Sequence, residues 1–164
     1  MRRYSQLVAG VVACLIAGVA HADEETVPLD KLPAAITAAV KKRFPSAEMV
    51  RASKETEDGK TVFEVAIKDK GQKSDVSLTA DGKIIEIEKT MSEKDLPAAA
   101  AAALAKKYPG AKYRSVEEIS HVKDGKESLD YFEVNLTGKD QKKWEVCVTA
   151  GGEIKKTEGK GTAK

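Results

Sequence analysis

The chain has 164 residues, of which 28 are Lys or Arg, 26 are Asp or Glu, 41% are apolar and 5% aromatic. With charges so balanced and no clustered Lys/Arg face, salt-driven binding to nucleic acid or to an anionic lipid surface is not its activity. A chain of this length buries a core without covalent staples.

At the amino end a basic start, Met1-Arg2-Arg3, precedes an apolar run from Leu7 to Ala20 and the small-residue stretch Ala20-His21-Ala22, which gives way to Asp23-Glu24-Glu25. This is the order of a secretory signal, so residues 1–22 read as a signal peptide cut after Ala22 and the mature protein as periplasmic or secreted. The apolar run is shorter than the roughly 20 residues that span a bilayer, and no stable membrane insertion is expected after cleavage. The alternative is a lipoprotein anchored at Cys14 through Val11-Val12-Ala13-Cys14, against which the run continues past the cysteine from Leu15 to Ala20. Cleavage removes Arg2 and Arg3 and no acid, so basic and acidic groups become equal in number and the mature chain is formally neutral. Cys147 is then the only cysteine and forms no internal bridge, so packing alone must hold the fold. It reads as a small strand residue, with a reactive or intermolecular role as the alternative.

An internal repeat organises the rest. Leu32-Pro33-Ala34-Ala35 recurs as Leu96-Pro97-Ala98-Ala99, and Lys42-Arg43-Phe44-Pro45 as Lys106-Lys107-Tyr108-Pro109, both at the same separation along the chain. Phe63-Glu64-Val65 matches Phe132-Glu133-Val134, and Leu78-Thr79-Ala80 matches Val148-Thr149-Ala150, as the separation widens through insertions in turns. The first repeat is assigned to residues 28–91 and the second to 92–158.

In each copy a helix comes first. Leu32, Ala35, Ile36, Ala39, Val40 and Phe44 share one helical face, as do Leu96, Ala100, Ala103, Leu104 and Tyr108. The alanine run from Ala98 to Ala103 belongs to this second helix, because alanine is the best helix former. Pro33 and Pro97 suit the first turn, whose N–H groups lack helical partners, and Pro45 and Pro109 end the helices. Asp30 and the segment from Ser92 to Asp95 are candidate caps.

The period then becomes two. Phe63, Val65 and Ile67 alternate with Glu64, Ala66 and Lys68, and Val76, Leu78 and Ala80 alternate with Ser77 and Thr79. Asp58-Gly59, Asp81-Gly82, Asp124-Gly125 and Gly151-Gly152 are hairpin turn signals. The fold class is therefore α+β: two tandem repeats, each one helix packed on a four-stranded antiparallel meander sheet. The Gly- and Lys-rich tail is expected to be disordered starting at Thr157, with residues 159–164 assigned as a tail outside the second repeat.

Catalytic signatures are missing. The sequence has no Gly-rich phosphate loop, Gly-x-Ser-x-Gly turn or Cys-x-x-Cys. His121, the one histidine of the mature chain, has no Cys or His at ligand spacing and reads as a surface residue near a strand end. Glu64 and Glu133 fall at equivalent outward positions and read as solvated glutamates, with no pocket to raise their pKa values. No catalytic residue, metal site or cofactor is expected, and the chain does not read as an enzyme.

The pattern of Leu-Pro-Ala-Ala, an apolar helix, Phe-Pro-Ser-Ala or Tyr-Pro-Gly-Ala, a turn and Phe-Glu-Val resembles the PepSY-like, β-lactamase-inhibitor-like family over residues 28 to 158, in two copies. The resemblance implies an exported bacterial protein whose units each lay a helix on a curved antiparallel sheet. It also implies kinship with PepSY domains proposed to restrain secreted peptidases, and with an inhibitor that grips an enzyme through its open sheet. Lacking a disulfide pair in its mature part, this chain departs from a dedicated inhibitor.

A single helix covers one side of a sheet and leaves the other bare. The outward set is Glu64, Lys68, Ser77, Thr79 and Glu86 in the first copy, and Tyr131, Glu133, Asn135, Glu145, Cys147 and Thr149 in the second. The expected function is a non-catalytic binding module that inhibits or regulates an envelope protein, such as a peptidase, through these open faces. The candidate contacts are Tyr131, Glu133, Asn135, Glu145 and Trp144, the aromatics serving as anchors. Trp144 shares the inward parity of Val146 and Val148, and its alternative role is to plug a strand end. The alternative function is that of an envelope protein binding a small ligand or an ion in a groove between the two sheets. Whether those sheets join is left open.

Overall fold

The structure, a computed structural model, describes residues 24–57 and 60–160. The expected signal peptide, Cys14, the expected Asp58-Gly59 turn and the last four residues lie outside them.

Among the described residues two α-helices and nine strands follow in the order β1 (Glu25–Thr26), α1 (Ala34–Arg43), β2 (Glu48–Glu57), β3 (Lys60–Asp69), β4 (Gln72–Thr79), β5 (Ile84–Thr90), α2 (Ala98–Lys107), β6 (Lys112–Lys123), β7 (Lys126–Thr137), β8 (Lys143–Val148) and β9 (Ile154–Lys160). All nine strands form one antiparallel sheet in sequence order, β1 to β9. Each helix precedes a four-stranded meander, as expected, and the two meanders, whose joining the sequence left open, form one nine-stranded sheet with a short extra strand at its edge. The join is the β5–β6 pair, where Glu86 to Thr90 face His121 to Glu117. No helix among the described residues is long and apolar enough to cross a membrane.

Both helices are entered through a 3-10 turn, Leu29–Lys31 and Glu93–Asp95. Ser92 caps the second of these turns, its Oγ accepting from the Lys94 N–H at 3.3 Å, and Asp30 makes no cap. Pro33 and Pro97 sit just ahead of the helices with ψ of 138° and 139°, rather than inside their first turns. Phe44 and Tyr108 close the helices identically, donating their N–H groups to the carbonyls of Val40 and Leu104.

Each helix buries one stripe on the same side of the sheet. Ile36 and Val40 meet Phe63, Val65, Ile67, Val76, Leu78 and Ile87. Ala100 and Leu104 meet Phe132, Val134, Leu136, Val146 and Val148. Full burial of such a side chain contributes about 1.5–3 kcal/mol, so these two cores hold the fold.

The turn before β5 and the turn before β9 are pressed against the helices. A Cβ on Gly82 would lie 2.7 Å from the Ala35 carbonyl oxygen, and one on Gly152 would lie 2.6 Å from that of Ala99, with φ of +85° and +86°. Glycine is required twice over at both positions, by conformation and by space. Ala80, expected in a strand, lies exposed in the first of these turns.

Two further departures concern turns and ends. Lys70-Gly71, at φ 49° and 90°, forms a tight hairpin like that of Asp124-Gly125; a lysine in the left-handed region is a weak turn signal, so the sequence does not announce it. The tail expected to be disordered from Thr157 is strand up to Lys160: Thr157 pairs with Val146, Gly159 with Trp144 and Lys160 with Lys143. Backbone pairing to β8 orders this segment despite its low apolar content.

Candidate functional site

With both helices on one side, the opposite face of the sheet is open. Side chains alternate across a strand and align in rows along the hydrogen-bonding direction, which gathers residues from both repeats. One row runs Glu64, Ser77, Glu86, His121 across β3 to β6. The next runs Arg51, Ala66, Asp75, Glu88, Ile119, Tyr131. A third sets Glu117, Glu133, Cys147 and Lys156 side by side.

The middle of this face is acidic. Asp75 lies directly opposite Glu88, and Glu117 opposite Glu133; like charges in such cross-strand pairs cost stability. Burial among neighbouring side chains, then repulsion from Glu86, Glu117, Glu133 and Glu64, pushes the Glu88 carboxyl up to about 8. Burial also raises Glu64, Asp75 and Glu86, against the pull of Arg51 on the first two and of His121 on the third. Arg51 Nη2 stands 3.3 Å from Glu64 Oε1 and 4.0 Å from Asp75 Oδ1. The sheet's own side chains thus supply the desolvation that was expected to need a pocket.

His121 is no isolated surface residue. Its Nδ1 lies 3.1 Å from Glu86 Oε2 and its Nε2 3.1 Å from Asp130 Oδ2. Lys155 Nζ holds the other Asp130 oxygen at 2.5 Å, which keeps that carboxyl below its usual range. His121 does lie near the end of β6, two residues before Lys123, and there it pairs with Ser128 of β7 and Glu86 of β5.

The expected contact residues are redistributed. Tyr131 keeps its outward parity but is only 6% exposed, packed with Ile119 and Cys147 in a small apolar cluster under Lys155, whose Nζ is 5.6 Å from the ring centroid. It is a buried support and not a projecting anchor. Glu145 likewise faces the open side yet is 6% exposed, flanked by Asn135 and Glu158. Glu133 and Asn135 are half-buried there, and the Asn135 amide donates to Glu133 at 3.1 Å. Trp144 is on the helix side, 5.8 Å from the Tyr108 ring and packed against the second core. Its parity with Val146 and Val148 decides this, so it leaves the contact set. Cys147 is a buried thiol outside any disulfide.

Sequence reading missed Asp75, Glu88, Glu117, Asp130, Lys155 and Arg51. The alternation Glu86-Ile87-Glu88 was visible, but their shared environment exists only once β5 pairs with β6. Two shallow clefts, of about 290 and 430 Å³, lie elsewhere, lined by residues such as Tyr108 and Tyr113 or Val27 and Phe63. Among the described residues no three His, Cys, Asp or Glu side chains converge so as to hold a metal ion.

A family model described as "Putative beta-lactamase-inhibitor-like, PepSY-like" matches residues 20–86 and 63–156. Its description names inhibitor-like proteins and no enzymatic activity. No curated protein matches the chain. Among solved structures, a "putative periplasmic" protein of Bacteroides eggerthii is similar at a TM-score of 0.64 and 16% identity, covering 77% of this chain and 88% of that one. A BLIP-like protein of Bacteroides fragilis is similar at 0.61 and 18% identity, with coverages of 84% and 91%. A DUF2874 family protein of Bacteroides uniformis is similar at 0.63 and 18% identity, with coverages of 77% and 88%. At such identities these likenesses show the fold.

Proposed function

This chain belongs to the PepSY-like, β-lactamase-inhibitor-like family, and from that premise we propose that it is an exported, non-catalytic binding module that grips a protein of the bacterial envelope, such as a peptidase, across the open face of its sheet. The observation that carries this reading is the open face itself. One continuous sheet keeps both helices on one side, and its other side gathers carboxylates from both repeats at its centre.

Charge complementarity names the partner's chemistry. Glu86, Glu88, Glu117 and Glu133 crowd β5 to β7, while Arg51 and Lys156 stand toward the margins on β2 and β9. A docking element carrying Lys or Arg side chains relieves the repulsion within this stripe, whereas an acidic one adds to it. Such a cation also favours the ionised form of Glu88, so docking near neutral pH releases a proton. Complementary fields of this kind raise association rates and reject wrong partners more than they add affinity.

The test is calorimetric titration of the mature chain with an oligolysine peptide, beside crosslinking of the chain in the native envelope. Glu117→Gln combined with Glu133→Gln is expected to weaken peptide binding about tenfold and to lose the envelope crosslink, while Lys41→Glu on the helix side changes neither. Equal binding by both variants, or no measurable binding of the peptide at low salt, overturns the reading.

A further inference from the structure

The open face holds a linked series of ionisable groups that crosses from one repeat to the other. It begins at Glu88, whose carboxyl is hydrogen-bonded to that of Glu86 on β5. It continues to His121 on β6, whose Nδ1 stands 3.1 Å from Glu86, then through the His121 hydrogen bond to Asp130 at the bulge of β7, and ends at Lys155 on β9. Four strands contribute, and the link from Glu86 to His121 spans the single strand pair that joins the two repeats.

The geometry makes this link depend on a proton. With a carboxylate oxygen 3.1 Å from each ring nitrogen, only the imidazolium presents an N–H and a positive charge to both; the neutral ring keeps one N–H, and its bare nitrogen then confronts a carboxylate. Asp130 retains Lys155 as a second cation. Glu86 instead has Glu88 beside it and, two strands away in the same row, Glu64. Loss of the proton on His121 therefore leaves repulsion on the side of the first repeat.

The helix side of the same junction is built differently. Arg43 of α1 reaches Glu127 of β7 at 2.6 Å, Lys89 of β5 meets Glu127, and Lys89 stands 3.5 Å from Glu118 of β6. That network contains no histidine, so the imidazole, whose charge depends on a proton, belongs to the open side of the junction.

Resting on the docking reading above, we propose that the series from Glu88 through Glu86, His121 and Asp130 to Lys155 is a proton-responsive clasp: charged His121 holds the two halves of the open face in register, and neutral His121 releases them. The groups facing His121 are Glu86 from β5 and Asp130 from β7, with Glu88 beside Glu86 and Lys155 from β9 behind Asp130; Glu117 lies farther along β6 itself. Loss of the proton at Glu88 reinforces the change, because it adds a negative charge to the stripe as the clasp opens. The face is then more acidic and less tightly joined in alkaline than in acid conditions, and a cationic partner docks more strongly as pH rises.

Amide hydrogen exchange of the mature chain at about pH 5.5 and about pH 8.5, corrected for intrinsic exchange rates, tests the clasp. Protection of the amides that pair β5 with β6 is expected to fall on the order of tenfold at the higher pH in the wild type. His121→Gln is expected to show low protection at both pH values, and His121→Arg, which stays charged, high protection at both. A wild type with pH-independent protection, or a His121→Gln form that keeps the pH dependence, overturns the clasp. Oligolysine titration at the same two pH values separates this idea from the docking reading. Exchange that follows His121 while the peptide never binds defeats the docking reading alone; peptide binding with pH-independent exchange defeats the clasp alone.

Discussion

The two repeats share a skeleton and differ where each meets its neighbour. Gly82 presses on Ala35 as Gly152 presses on Ala99, and Thr79 and Thr149 accept the same turn hydrogen bonds, from Lys83 and Glu153. The contrast lies one strand end away. Trp144, in the second repeat, pairs with Gly159 and stacks against Tyr108. The matching position of the first repeat is Ser74, paired with Lys89. Because β5 is internal and β9 is an edge, the first repeat directs Lys89 to Glu118 and Glu127 of its neighbour, while the second closes on itself with an aromatic pair. The duplication has kept the helix-to-turn contact, which is local, and changed the positions whose surroundings depend on sequence order in the sheet.

The largest expected effects probe what is common. Gly82→Ala and Gly152→Ala should each destabilise the fold by about 3 kcal/mol in urea denaturation, combining overpacking against a helix carbonyl with a left-handed backbone. Equal losses uphold the equivalence of the repeats; a loss in only one breaks it. The next pair probes the difference: Trp144→Ala should cost about 2–3 kcal/mol, below a fully buried aromatic because the indole is partly exposed. Ser74→Ala should cost under about 1 kcal/mol.

Smaller effects separate the two sides of the repeat junction by the sign of their pH dependence. The Glu88 carboxyl is raised in the fold to about 8 from 4.5. Its contribution to stability is therefore fully present below the unfolded value and is lost as pH rises through about 8. Thermal melts across this window should show a decline on the order of 2 kcal/mol that Glu88→Gln removes; the coupling to Glu86 keeps it below the full shift. Glu127 is opposite in sign, because Lys89 and Arg43 together outweigh its burial and hold its carboxyl below the ordinary value. That contribution is present above the unfolded value and is lost as pH falls through the lower folded one. Glu127→Gln should cost about 1 kcal/mol at neutral pH, in the range of partly exposed ion pairs, and nothing in strong acid. An equal cost at both ends of the pH scale would remove Glu127 from any electrostatic role at the junction.

How far the site was legible follows from the range of the signals involved. The outward parity of Glu64, Glu86 and Glu133 is written in alternation along single strands. That Tyr131 and Glu145 are covered, despite the same parity, depends on what stands beside them on neighbouring strands: Ile119 and Cys147 for the one, Asn135 and Glu158 for the other. Trp144 was ambiguous for the same reason, and its parity gave the better answer.

Local sequence was enough to specify the duplicated unit, the helix followed by alternating strands, the proline boundaries and most of the turns, because each is a periodicity or a backbone preference expressed within a short window. Tertiary structure decided that the two meanders form one sheet and that β9 runs to Lys160. It also brought Glu86 and His121 into a shared charged row on the open side. Those outcomes depend on hydrogen bonding and desolvation between segments distant along the chain, as from Glu86 to His121, and no local pattern in either segment encodes its neighbour.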